Sequence, residues 1–453
     1  MKRIALMLAV STTLLSVASP ASAQLRPDTT WVVTFDHDFY NWADPHIQTF
    51  QFPPDSLMWK KILLFYQIQC PPTPDDCDPW DRLGHLRVVT TDSTGAEVHT
   101  EIARIVTPYD ITGGSRPDSC IWMLDVSDYE PILHDSVTLR HQIWSWIGGT
   151  RGWIVTVTFA FVSGATPLEP FQVVNLWAHE YLVFGDPANP IESYLQPVSV
   201  FIPPEAQGAK VRAITTGHGQ GNTDNAAEFS YKWHEVVVGA NAYSHYLWRN
   251  DCNQNDCSPQ GGTWSYARAG WCPGDKVIPW DNDVWEAVIP GESTSIDYNI
   301  QPYVNYCRPT NPECQDGVTC SDCDYNYTGH TEPNYCLHTQ LILYRERMIH
   351  LSGARSDDGV LLYWPAWPGA SAYWVFGEAN SAYFDPVLVE PYPNRVAVLS
   401  PDVTNWEALE GAGDPENNWT YVVYAVDESG LVLGKSNRVG EHDFANDIPG
   451  AGR

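Results

Sequence analysis

Val155-Thr156-Val157-Thr158-Phe159-Ala160-Phe161 alternates large apolar side chains with small or polar ones. Successive side chains of an extended chain point to opposite faces, so this stretch predicts a half-buried strand with one face on a core. Residues 62–68 are more continuously apolar, as expected of a strand buried on both faces. The chain's 35 prolines and 32 glycines punctuate such runs as turn formers, and no long segment has helical period. Many short strands with regular turns predict an all-β protein made of sandwiches or jelly rolls.

Outward from that strand, Ser163-Gly164-Ala165-Thr166-Pro167 marks a first domain boundary, and Leu351-Ser352-Gly353-Ala354 marks a second. Beyond it, residues 360–364 and 372–376 read as strands separated by Pro365 and Pro368-Gly369. Residues 419–426 form another, ending in the turn Asp427-Glu428-Ser429-Gly430. This segment, 351–441, resembles a fibronectin type III module. It carries no catalytic constellation, which implies a spacing or docking role, and 442–453 is left as a tail.

At the other end, Lys2 and Arg3 precede an apolar run from Ile4 to about Val17, and Ala21-Ser22-Ala23 offers a small-x-small cleavage site. That is the layout of a secretory signal peptide, residues 1–23. The run is too short to span a hydrocarbon layer of roughly 30 Å. The expectation is export with cleavage near Ala23 and no membrane span, the product being secreted, periplasmic or held at the cell surface. About 430 residues remain, room for about three domains at roughly 150 residues each. A net charge of −30 argues against nucleic acid or an anionic membrane as partner. Eleven cysteines in an exported chain read first as disulfides, and the odd count leaves one free or paired to another chain. The 20 Trp and 23 Tyr mostly build β cores, but such rings also stack on sugar faces.

Two stretches carry the candidate chemistry. In the first, Cys70 and Cys77 flank six residues and lead into Asp78-Pro79-Trp80-Asp81-Arg82. A disulfide there would hold Trp80, Asp81 and Arg82 in place, and an adjacent arginine favours an ionised carboxylate. In the second, Ala267-Arg268-Ala269-Gly270-Trp271-Cys272-Pro273-Gly274 is a turn-rich loop, and Cys252 could close it onto Cys272. Read alone, either stretch is also a plain structural loop.

Taken together, in order, they resemble the peptide-N-glycosidase F family of secreted bacterial amidases. The resemblance runs from about Thr34 to Tyr344 and includes Arg104-Ile105-Val106-Thr107-Pro108-Tyr109 and Phe161-Val162-Ser163-Gly164. It implies two adjacent eight-stranded antiparallel jelly rolls, 24–164 and 165–350. It implies a monomer that needs no cofactor or metal and acts on N-glycosylated peptides or glycoproteins. Asp81 matches the family's principal catalytic aspartate, and Glu228, in Ala227-Glu228-Phe229, matches a second-domain carboxylate. Arg82, Arg268, Trp80, Trp146, Phe229 and His218, the last in a Gly217-His218-Gly219 loop, match substrate-facing positions. Ala226 and Ser230 stand where the family has cysteines, and Trp144 stands where it has a third carboxylate, a change that bears on which glycan core is accepted.

On this reading Asp81 is the base or nucleophile, Glu228 positions water and substrate, and Arg268 stabilises developing charge. The competing reading is a non-catalytic glycan-binding or adhesion protein on the same fold. Elsewhere, Cys307, Cys314, Cys320, Cys323, His330, Cys336 and His338 crowd one region; disulfides are the first reading and zinc the alternative. Cys120 and Cys257 have no assigned partners. A copper-site reading fails on five methionines and the lack of a His-x-His motif.

Overall fold

A computed structural model describes residues 29–55, 57–72, 77–111, 116–164, 166–307, 332–356, 359–381, 383–408 and 418–440. The expected leader, Cys314, Cys320, Cys323, His330 and the C-terminal tail lie outside the described residues.

The first sandwich consists of β1 (Thr29–Tyr40), β2 (His46–Gln51), β3 (Trp59–Gln69), β4 (Leu83–Thr91), β5 (Glu97–Val106), β6 (Ser119–Asp125), β7 (Ser136–Ile143) and β8 (Trp153–Ser163). One sheet runs β1-β8-β3-β6, and β5-β4-β7-β2 forms the other, with antiparallel pairing throughout. The order 1-8-3-6 against 2-7-4-5 is that of an eight-stranded jelly roll. In β8, Trp153, Val155, Val157, Phe159 and Phe161 are fully buried, while Ile154, Thr156 and Thr158 on the other face are only half-buried. The expectation for residues 62–68 is corrected. Ile62, Leu64, Tyr66 and Ile68 fill the core, but Leu63, Phe65 and Gln67 are half-buried on the outer face. On that face Phe65 lies against the ring of Trp31, which is itself exposed, at 5.6 Å.

The second sandwich repeats the arrangement. Its strands are β9 (Leu168–Val183), β10 (Val198–Phe201), β11 (Gly208–His218), β12 (Trp233–Val238), β13 (Asn241–Tyr246), β15 (Trp280–Asp283), β16 (Ser293–Ile300) and β17 (Asn334–Glu346). They pair as β15-β11-β17-β9 and β10-β16-β12-β13. With β14 (Asp275–Lys276) set aside, the chain order is that of a second eight-stranded jelly roll. Residues 334–343 of β17 are buried throughout. This is the strand covered on both faces, because it lies between its own core and the first sandwich.

That junction is extensively bonded. β14 leaves the second sandwich and pairs with the end of β5, Asp275 opposite Val106. Gln340 donates to the Glu101 carbonyl at 2.7 Å and accepts from the Tyr129 hydroxyl at 2.8 Å. Arg212 bridges Asp128 and Asp281, and Arg347 reaches Glu130, each at 2.7 Å. A Cys120–Cys257 disulfide joins β6 to the long loop of the second sandwich. A groove framed this way holds its two walls in fixed register.

Residues from Met348 to Gly440 form a third sandwich, with sheets of six and three strands around Ile349, Leu362, Trp364, Tyr373 and Tyr421. The turn after Val426 forms as expected, with the Asp427 carboxylate accepting from the Ser429 and Leu431 backbone N–H groups.

Candidate active site

The Cys70–Cys77 disulfide forms, as the spacing suggested, and closes the loop between β3 and the segment entering β4. Beyond it the organising residue is Asp78, which is fully buried. Its carboxylate accepts from the Trp80 backbone N–H at 3.0 Å, the Arg82 Nε at 2.9 Å and the Ser145 hydroxyl at 2.7 Å. Thr107 ties the same loop from outside: its hydroxyl donates to the Trp80 carbonyl at 2.9 Å and accepts the Arg82 N–H at 2.8 Å. Trp80 and Arg82 on either side of Asp81 are thus held by four hydrogen bonds, two to Asp78 and two to Thr107, before β4 begins.

The opposite wall comes from the second jelly roll. Its Cys252–Cys272 disulfide forms and closes the loop between β13 and β14. Glu228 lies between β11 and β12, with its N–H on the Gly219 carbonyl at 3.3 Å and its own carbonyl accepting from Ala269 at 2.9 Å. Arg268 donates from Nε to the Glu228 carboxylate at 3.1 Å.

Asp81 and Glu228 come close enough to perturb each other. Burial pushes Glu228 up to about 7, and the negative charge of Asp81 adds to that shift. Burial likewise pushes Asp81 up to about 6, against the opposing pull of Arg268 and Arg82. Asp81 keeps part of its surface, as a group on the floor of a cleft does. Both carboxyls are thus raised toward neutrality, a direction suited to proton transfer.

Tyr109 belongs to the same cluster. Burial and the charge of Asp81 raise its phenol, with Glu228 also contributing, so it stays a hydroxyl donor. Its backbone is clamped by Gln260 and Gly261, at 2.8 Å each. Gly262 lies against its ring with φ +63°, where an added Cβ would come within 2.2 Å of Tyr109 Cε1. Only glycine fits there. Nothing in the spacing distinguishes Asp78 or Tyr109 as special.

Arg268 is enclosed by its own loop. It is 1% exposed and sandwiched between Phe229 at 5.1 Å and Trp271 at 5.0 Å. Its remaining donors reach the carbonyls of Thr263 at 3.0 Å and Tyr266 at 2.8 Å. Its hydrogen bonds thus go to Glu228 and to its own loop, and its charge also reaches Asp81. Arg82 is the more open cation, its guanidinium 5.5 Å from the Trp146 ring. Trp80 and Trp146 are 44% and 51% exposed. Phe229 is half-buried.

His218 stacks near Trp271 at 5.2 Å and pairs with the Thr216 hydroxyl at 2.8 Å; burial holds it down at about 3, neutral. Trp144 packs against the apolar cluster of Leu83, Val106, Ile214, Trp271 and Val277, 5.4 Å from His85. The family's third carboxylate is thus replaced by apolar surface. Behind it, Glu101 is held well below the usual carboxylate range: burial opposes its charge, but Arg104 and His85 outweigh that penalty. Arg104 carries this buried pair across the junction to the Cys336 carbonyl at 2.7 Å.

In the cysteine-rich region, Cys307 is disulfide-bonded and Cys336 is a free, buried thiol. His338 is bonded to the His99 carbonyl at 3.1 Å. Among the described residues no cluster of ligands could hold a metal ion, and no helix is long and apolar enough to cross a membrane.

Fold and site together define a class: a paired jelly-roll protein in which one acidic residue from each half, Asp81 and Glu228, lies within the field of the same arginine, Arg268. Residues 189–318 match the family model described as peptide-N-glycosidase F, C terminal. The chain is 28% identical, over 265 residues, to peptide-N(4)-(N-acetyl-beta-D-glucosaminyl)asparagine amidase F of Elizabethkingia miricola, spanning 57% of this chain and 72% of that protein. The structure of PNGase F from Flavobacterium meningosepticum superposes with a TM-score of 0.56 at 22% identity, covering 71% of this chain and 97% of that one. PNGF-II gives 0.53 at 13% identity, covering 71% and 66%. The resemblance to the peptide-N-glycosidase F family thus holds in sequence and in fold.

Proposed function

We propose that this protein is an exported amidase that hydrolyses the bond between asparagine and the innermost GlcNAc of N-glycans, releasing the glycan and converting Asn to Asp. The observation that carries this reading is the coupling of Asp81 and Glu228 across the two jelly rolls. Two shifted carboxylates in a cleft rimmed by Trp80 and Trp146 suit acid–base work on a sugar-linked amide. The similarity to amidase F supports the same substrate class.

In this mechanism the ionised Asp81 accepts a proton from water as the water oxygen bonds to the amide carbon. The C–N bond then breaks, and the proton leaves with the glycosylamine. Glu228, oriented by Arg268, holds the water or the sugar amide. The charge developing on the carbonyl oxygen is met by the Tyr109 hydroxyl and by the guanidinium of Arg82, whose Nε is held by Asp78. The third sandwich, read as fibronectin-like, serves as a spacer or docking module. The disulfides Cys70–Cys77, Cys120–Cys257 and Cys252–Cys272 support export, since such bonds persist in oxidising surroundings.

The second reading, a glycan binder without catalysis, is favoured by Trp144 at the carboxylate position. Digestion of a defined glycopeptide separates the two. An amidase gives a free glycan retaining its innermost GlcNAc and a peptide carrying Asp at the site. A binder leaves the glycopeptide intact.

A further inference from the structure

Further along the junction, a cavity of about 310 Å³ opens between β4, β5 and β7 of the first sandwich and β9 and β17 of the second. In a chain of net charge −30, its lining is conspicuously basic: Arg87, Arg104 and Arg140 against Glu101 and Glu180. The histidines there add little charge, since burial holds His179 and His338 down. Arg104 is committed to Glu101 at 2.7 Å, and Arg87 Nη1 reaches the half-exposed Glu180 at 2.6 Å. Arg140 makes no ion pair among the described residues.

Arg87 is only 7% exposed, yet its Nε has no acceptor, and the Arg140 Nη1 is likewise buried without one. Buried guanidinium donors without acceptors are costly, and two like charges sharing a pocket add repulsion. Burial and then Arg87 pull Arg140 below its ordinary pKa, against a smaller opposing pull from Glu180. A small anion in the cavity would offset the like charges of the two guanidinium groups that line it, and planar guanidinium forks suit oxyanions. The volume lies at the small end of ligand pockets, roughly 300–1,000 Å³, which fits one sugar-sized molecule and not an oligosaccharide.

We propose that this pocket is a binding site for a small oxyanion, a carboxylate or sulfate group on a molecule no larger than one sugar, clamped by Arg87 and Arg140. The site is separate from Asp81 and Glu228 and stands whether or not the amidase reading does.

The test is calorimetric titration and thermal shift of the full chain with sodium sulfate, sodium glucuronate, glucose, and sodium chloride at matched ionic strength. Stabilisation by sulfate or glucuronate beyond chloride, with none from glucose, supports the clamp. Glucuronate alone identifies an acidic sugar, whereas sulfate alone identifies an inorganic ion. Arg140→Gln should weaken binding by about tenfold or more, the loss of one charge-assisted contact. No effect beyond chloride, or the same affinity in Arg140→Gln, overturns the proposal. If that variant does not fold, a selenate-soaked crystal decides: an anomalous peak between Arg87 and Arg140 supports the site, and its absence refutes it.

Discussion

Replacing Asp81 by Asn should remove activity and stabilise the protein, but only above the acid range. In the folded protein Asp81 titrates at about 6, against an ordinary value of 3.8. That is roughly two pH units at about 1.36 kcal/mol each, so ionising Asp81 costs the fold up to ~3 kcal/mol. Asp81 keeps part of its surface, and water screens part of this, which lowers the expectation to about 1–2 kcal/mol. The folded-state pKa is raised, so this carboxyl's contribution is favourable below pH 4 and is lost as pH rises through 6. Asn resembles the protonated acid at every pH. Asp81→Asn should therefore melt with wild type at pH 4 and about 2–8 °C above it at pH 8. Scanning calorimetry at both pH values, beside a glycopeptide assay in which the variant loses at least about 10²-fold, checks both halves. A melting point that falls at pH 8, or rises equally at both pH values, would refute the argument that the cleft holds Asp81 against its charge.

Glu228 titrates above Asp81 and is still protonated while Asp81 ionises, and Gln mimics that neutral form, so whatever activity remains in Glu228→Gln should keep its acid limb in kcat/KM near 6, read from a pH–rate profile. The two disulfides tied to the first jelly roll should separate by role. Unfolded-chain loop arithmetic gives ~5 kcal/mol for Cys120–Cys257, with a sequence separation of 137, and ~2.5 kcal/mol for Cys70–Cys77, with a separation of 7. Serine pairs at Cys70 and Cys77 should nevertheless cost more kcat/KM, because that loop carries Asp81. Trp144→Glu, which restores the family's carboxylate, sets a charge against Leu83, Val106 and Trp271 and should lower stability by about 2–4 kcal/mol in a denaturant melt.

What could be read from the sequence was mostly local. The alternation of Val155, Val157 and Phe159 marks a one-faced strand because side-chain direction has a period of two. The same rule over-read residues 62–68, since partly covered Leu63 and Phe65 on an outer face look like core in a string of letters. Cys70–Cys77 and Cys252–Cys272 were legible from short spacing, whereas Cys120–Cys257 spans two sandwiches and was not. Asp81 and Glu228 were found through motifs. Asp78 and Tyr109 were missed because their importance lies in what surrounds them: three donors converging on one carboxylate, and a phenol brought to the cleft by a loop from the other half. Arg268 was identified as a site residue, but its role depends on where its donors point, which only coordinates reveal.

Hydrolysis of a glycopeptide in ¹⁸O water addresses the central claim directly, because the new oxygen records which bond water attacked. The account predicts one ¹⁸O in the side chain of a newly formed aspartate and an intact glycan released with its innermost GlcNAc. Recovery of unlabelled, still glycosylated asparagine, or of asparagine bearing a single residual sugar, would contradict it.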